Sequence, residues 1–200
     1  MSDCAAIVLA AGKATRFSGG AEGATKLTAR YKGAPLVRRA VETALAGGAA
    51  PVLVVTGHAR QEVLAALAGL TFTEVFNPHY ADGVATSICA GVAATPDGAQ
   101  AALVMLADMP HVTPQLLRAL MAAWRAAPQT DAVAPLVEGR RGNPVLIARR
   151  FFPTLARLRG DEGARRALAA PGVSVVEIEA DEGSAFDVDT RQALEKLNRA

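Results

Sequence analysis

Ala10-Ala11-Gly12 is followed by Lys13, Arg16 and, past a run of glycines, Lys26. Small residues at such a turn let backbone amides approach a phosphate closely. Arg16 adds a planar fork of donors and Lys26 a mobile point charge. Carboxylates recur far along the chain, in Asp108-Met109-Pro110 and Asp187-Val188-Asp189. Asp108 with Asp187 or Asp189 can hold a hard divalent cation, which needs only one or two protein carboxylates when phosphates fill the other positions. A nucleoside triphosphate with magnesium, or manganese in its place, matches that set. Taken singly, each residue has a plainer use. Gly12 could end a strand, Lys26 could be a solvated charge, Asp108 a turn residue and Asp189 a helix cap. Their joint order favours phosphate chemistry.

Other chemistries lack their signatures. No G-x-G-x-x-G follows Leu9, Gly12-Lys13-Ala14 is not a Walker A loop, and no serine stands in a G-x-S-x-G elbow. His58, His79 and His111 show no metal-ligand spacing and read as structural or solvent-facing.

The elements that must position these residues follow from hydrophobic patterning. Apolar runs at 4–10, 51–56, 72–76, 101–107, 131–137, 144–148 and 173–178 predict strands, the first buried on both faces. Helical patterns lie at 35–47, 59–69, 84–94, 114–127, 161–170 and 190–199. Alternation of this kind predicts a three-layer α/β domain over residues 1–200, with a mostly parallel central sheet. Residues 136–147 interrupt it as an antiparallel hairpin around a polar turn. In an open parallel sheet, ligands sit beyond the carboxyl ends of the strands. Those ends supply Leu9 to Gly12, Thr56-Gly57-His58, Asn77-Pro78 and Asp108. The glycine-rich loop at 12–25 is long enough to read as functional. Ser87 reads first as a cap of the helix after Gly83.

Composition narrows the class. The 200 residues are 51% hydrophobic and 20% charged, with a formal net charge of +2, which excludes self-repelling disorder. Basic residues are scattered and aromatics reach only 4%, which argues against a nucleic-acid module. Cys4 and Cys89 make no disulfide framework, and no uncharged apolar run reaches about 18 residues. The N-terminal stretch has no basic n-region. The expectation is a cytoplasmic protein with no membrane span.

The string Leu9-Ala10-Ala11-Gly12-x-x-x-Arg16, with Lys26-Leu27 beyond, resembles the signature loop of the molybdenum cofactor nucleotidyltransferases. The resemblance continues through Asn77-Pro78…Gly83…Ser87, Asp108-Met109-Pro110, Gly142-x-Pro144-Val145, Gly160-Asp161-x-Gly163-Ala164-Arg165 and Asp187-Val188-Asp189-Thr190. These blocks run in order through nearly the whole chain. Leu9-Ala10-Ala11-Gly12 is most similar to the CTP:molybdopterin cytidylyltransferase branch. Departures are Thr15, Phe17-Ser18, the longer gap before Lys26 and Asn143. They fall at loop or substrate-facing positions and bear on the acceptor.

The resemblance implies transfer of CMP from CTP to molybdopterin with release of pyrophosphate. Arg16, Lys26 and Asp108 would be catalytic, and Asp108, Asp187 and Asp189 would hold magnesium. The nucleotide would lie against Leu9, Ala10, Ala11, Gly12, Lys26, Thr56, Gly57, Asn77, Gly83 and Ser87, with the Ala11 methyl favouring cytosine. Arg165 would meet the acceptor, and a molybdoenzyme or its chaperone would receive the product. Two alternatives stand beside this. One is transfer from GTP or UTP to a sugar phosphate or other small phosphate. The other is a nucleotide-binding accessory protein without turnover, whose mark would be lost carboxylates.

Overall fold

The computed structural model describes residues 3–13, 17 and 25–199. The strands are β1 (Cys4–Ala10), β2 (Arg30–Tyr31), β3 (Ala34–Pro35), β4 (Val52–Thr56), β5 (Thr73–Phe76), β6 (Ala101–Leu106), β7 (Ala132–Val137), β8 (Arg140–Arg141), β9 (Val145–Ala148) and β10 (Val175–Glu179). The helices are α1 (Leu36–Gly47), α2 (Arg60–Ala66), α3 (Val84–Ala93), α4 (Pro114–Ala126), α5 (Phe152–Leu155), α6 (Ala164–Leu168) and α7 (Arg191–Arg199). The main sheet has the order β10-β7-β9-β6-β1-β4-β5. Strands β6, β1, β4 and β5 run parallel, as do β7 and β10. β9 is antiparallel to both neighbours. This is the mostly parallel, helix-flanked α/β architecture that the patterning predicts.

β1 is central and buried along its whole length, so its side chains alternate between two cores. Cys4, Ala6, Val8 and Ala10 face α1 and α4, against Val37, Val41, Leu117 and Leu120. Ala5, Ile7, Leu9 and Ala11 face α3 and the 151–158 segment, against Ile88, Phe151 and Leu155. α3 lies close on the sheet: a Cβ at Gly91 would come within 2.3 Å of Ile7 Cγ2. α4 begins where its sequence says, with Thr113 Oγ1 accepting from the Leu116 amide at 3.2 Å and Pro114 as first residue.

The hairpin expectation needs refinement. Glu138 and Gly139 both have positive φ, 49° and 74°, a turn that folds β8 directly back on β7. β9 then slots between β7 and β6. The β2–β3 ribbon was not anticipated. α6 is shorter than the 161–170 pattern, because Gly163 is extended, with a ψ of 166°, and stands as its N-cap. Among the described residues, no helix is long and apolar enough to cross a membrane.

Candidate active site

A cavity of about 540 Å³ opens at the carboxyl ends of β1 and β6. Leu9, Ala11 and Gly12 form its floor, and Lys26, Asp108, Asp187 and Asp189 its charged end. Gly83, Val84 and Ser87 close it from the α3 side.

Three remote stretches meet at the charged end. Asp108 follows β6 directly. Lys26 opens a 3-10 turn whose entrance is set by Thr25, with Oγ1 accepting the Leu27 amide at 3.3 Å, and which is pinned by buried Leu27. Asp187 and Asp189 flank Val188, which is fully buried and donates its N–H to the Asp108 carbonyl at 3.0 Å. Val188 packs with Tyr31, Leu36 and Leu194 of α7, and the Asn198 side chain bonds the Lys32 amide and the Arg30 carbonyl. The tail of the chain is thereby held against its first quarter.

Lys26 Nζ lies 2.5 Å from Asp108 Oδ2 and 3.4 Å from Asp189 Oδ1, with the Lys26 and Asp108 side chains each 14% exposed. Burial pushes the Asp187 carboxyl above its ordinary range, reinforced by Asp108 and Asp189 and opposed by Lys26. The cluster therefore concentrates negative charge around one ammonium.

Among the described residues no three acidic, histidine or cysteine side chains form a ready-made metal cage. A divalent cation is accommodated in another way. Asp108 Oδ1 is buried without a hydrogen-bond partner, an acceptor left over beside the Lys26 contact of the same carboxylate. One carboxylate oxygen from Asp108 and one from its neighbours fit an ion that brings its remaining oxygens from phosphate and water.

Other predicted residues have different surroundings. Ala10 is buried on the opposite face from the cavity. Thr56 Oγ1 donates to Glu74 Oε1 at 2.6 Å, and Glu74 is gripped by Arg60 at 2.7 and 2.8 Å. Gly57 is small for a packing reason, since a Cβ there would come within 2.6 Å of Tyr80 Cβ and 2.9 Å of Ala11 Cβ. Gly83 has a φ of 107°, and a Cβ would lie 2.1 Å from the Gly160 carbonyl oxygen. Asn77 is buried and bonds Thr86, Ser87 and the His79 amide. Ser87 lines the cavity, but Gly83 holds the cap position of α3. Arg16 lies outside the described residues.

Tyr80, Leu106 and Val84 line the cavity without having been singled out from sequence. Tyr80 sits between Asn77-Pro78 and Gly83, and that spacing was its only signal. A second cavity of about 390 Å³ adjoins the first, sharing Leu9, Val84, Leu106 and Asp161 with it. Its walls are apolar except for Asn143, Asp161, Arg165 and Arg166.

A mostly parallel sheet with a lysine and aspartates converging beyond its strand ends, over a small-residue turn, defines an α/β protein of the nucleotidyltransferase type. The chain belongs to the MobA-like NTP transferase domain family, whose model matches residues 6–176. It is 32% identical over 204 residues to the purine catabolism protein PucB of Bacillus subtilis (strain 168), covering 97% of this chain and 95% of that one. It is 31% identical over 197 residues to nicotine blue oxidoreductase of Paenarthrobacter nicotinovorans, covering 96% and 94%. Rv0371c from Mycobacterium tuberculosis H37Rv superposes with a TM-score of 0.84 at 26% identity over 98% of both chains. A structure of Rv0371c in complex with manganese gives a TM-score of 0.80 at 25% identity over the whole of both.

Proposed function

We propose that this nucleotidyltransferase is a magnesium-dependent cytidylyltransferase, moving CMP from CTP to molybdopterin and releasing pyrophosphate. The observation that carries the reading is the convergence of Lys26, Asp108 and the Asp187/Asp189 pair on a cavity floored by Leu9, Ala11 and Gly12. The Ala11 methyl narrows that floor and supports a pyrimidine over guanine. The adjoining cavity, apolar with arginines at its edge, suits a flat heterocyclic acceptor carrying a phosphate.

In this reaction an acceptor phosphate oxygen forms a bond to the α-phosphorus of CTP, and the bond from that phosphorus to the bridging oxygen of pyrophosphate breaks. Positioning and charge stabilisation dominate such transfers. Arg165, at the edge of the second cavity, would hold the acceptor phosphate. Backbone amides at Ala11 and Gly12 would meet the triphosphate, with Arg16 as an added cation. Lys26 would turn from the carboxylates toward charge developing on the transferred and leaving groups. Asp108 with Asp187 or Asp189 would hold magnesium, which when bound neutralises phosphate oxygens and fixes their geometry. Thr56, Gly57, Asn77 and Gly83 would shape the nucleotide cavity from behind.

The oxidoreductase name of one relative is not carried over, since the turn Ala10-Ala11-Gly12-Lys13 holds no dinucleotide fingerprint. The reading takes residues 1–200 as one catalytic domain, acting in the cytoplasm and handing its product to a molybdoenzyme or that enzyme's chaperone. Pyrophosphate release from CTP, GTP and UTP with molybdenum-loaded pterin tests it, with Asp108→Ala as control. CTP-specific release abolished by Asp108→Ala is expected. Tight nucleotide binding without release would assign an accessory role instead.

A further inference from the structure

The three stretches that meet as charges in the cavity meet a second time as rings. Tyr31 lies shortly after Lys26, His111 shortly after Asp108, and Phe186 directly before Asp187. The His111 ring stacks on Phe186, with centroids 5.2 Å apart and planes inclined by 19°. Its Nε2 shares a hydrogen bond with the Tyr31 hydroxyl at 3.3 Å. Tyr31 is itself buried, with the Lys32 ammonium 5.4 Å and the Arg39 guanidinium 5.0 Å from its ring centre. His111, read from sequence as structural or solvent-facing, thus joins the β2–β3 ribbon to the segment that carries the late acids.

That segment is fastened at intervals. The Ala180 N–H donates to the Leu136 carbonyl at 3.0 Å, the Asn143 N–H to the Ser184 carbonyl at 2.8 Å, and the Val188 N–H to the Asp108 carbonyl at 3.0 Å. Gly183 lies against His111, where a Cβ would come within 2.9 Å of the His111 Cβ. Phe186 falls between the Ser184 and Val188 fastenings, so its stack on His111 sets the path of the chain into Asp187. A stack alone lets an imidazole slide and turn in its own plane, and the bond to Tyr31 removes that freedom. A displacement of about 1 Å at a reacting group can cost about a hundredfold in rate. We propose that His111, held by Tyr31, is a positioning residue that sets Asp187 and Asp189 against Asp108 for a divalent cation. This rests on the nucleotidyltransferase reading above and names what holds its acids in place.

His111→Ala tests the assignment by two readings that need no turnover. Hydrogen exchange in the metal-free protein should show the Val188 amide opening about tenfold more often. Mn2+ titrated into nucleotide-free protein, followed by electron paramagnetic resonance, should bind about tenfold more weakly, the lower end for losing a group that orients a metal ligand. His111→Phe, which keeps the stack without the hydrogen bond, should recover part of both losses. Tyr31→Phe, which removes one hydroxyl, should show a smaller loss of the same kind, and adding it to His111→Ala should cost nothing more. Val52→Ala, at the start of β4 and away from the strand ends that bear the site, should lower the melting temperature and leave Mn2+ affinity alone. In turnover, His111→Ala should lower kcat about tenfold with the KM for CTP unchanged. Unchanged Mn2+ affinity, an unchanged Val188 amide, no recovery in His111→Phe, additive losses in the double variant, or an equal Mn2+ loss in Val52→Ala would overturn it. If His111→Ala does not fold, Tyr31→Phe decides by the same two readings. Wild type that neither binds Mn2+ nor releases pyrophosphate overturns the functional reading as well. Wild type that does both, with His111→Ala indistinguishable from it, overturns this assignment alone.

Discussion

Lys26 Nζ stands 2.5 Å from Asp108 Oδ2 and 3.4 Å from Asp189 Oδ1, one ammonium spanning carboxylates from two distant parts of the chain. Removing the cation by Lys26→Met leaves a largely buried Asp108 carboxylate unpaired, which should cost about 3 kcal/mol in denaturant unfolding. Turnover should fall about a hundred- to a thousandfold, the range for losing one charge partner of a transition state. Transfer at the wild-type rate would remove Lys26 from the mechanism.

Asp187 behaves differently because its ionised form is disfavoured by burial and by two carboxylate neighbours. Asp187→Asn should melt slightly higher at neutral pH in the ligand-free protein, a gain kept small because residue 187 is exposed to solvent. The same variant should transfer less CMP. Opposite signs in the two measurements mark a residue kept for chemistry at a cost in stability. A lower melting temperature would show that Asp187 serves the fold.

The Thr56–Glu74–Arg60 chain sets a pH dependence away from the cavity. The Arg60 guanidinium, helped by the Thr56 hydroxyl and opposed by burial, holds the Glu74 carboxyl below the ordinary 4.5. A folded-state pKa below the unfolded one gives stability that is complete above 4.5 and lost as the pH falls through the folded value. The melting difference between wild type and Glu74→Gln should therefore be full at pH near 7 and close in acid, as thermal scans across a pH series would report.

Two glycines separate backbone geometry from ligand approach. Gly83→Ala forces a Cβ to within 2.1 Å of the Gly160 carbonyl at a φ of 107°, and should cost at least about 1–3 kcal/mol. A Cβ at Gly12 meets nothing within 4 Å. Gly12→Ala should thus keep its melting temperature yet weaken CTP binding, if amides there approach phosphate. Unchanged CTP affinity in calorimetry would place the triphosphate elsewhere.

Much of the architecture was legible because β1 is apolar in every position and α4 carries a cap, a proline and a stripe in register. Strand ends gave Lys26, Asp108 and Asp189 as candidates, but their meeting depends on the Thr25-capped turn and the Val188–Asp108 backbone bond, both tertiary. Thr56 could be placed at a strand end, whereas its engagement with Glu74 follows from the neighbour strand β5. Ser87 looked like a helix cap, since the Asn77 amide that claims its oxygen is visible only when α3 is packed beside the end of β5. The β2–β3 ribbon, two residues a side, carries no periodicity to read.

Val188 hands its amide hydrogen to Asp108 only after every strand, β10 included, has already been made. During synthesis the sheet can assemble around β1 while both late acids are still inside the ribosome. A chain clipped between Glu179 and Asp187 would retain all the strands but lose the two acids and the Val188–Asp108 bond. The scaffold and the competence to handle a triphosphate are thus acquired at different moments, and proteolysis of a short tail is enough to part them.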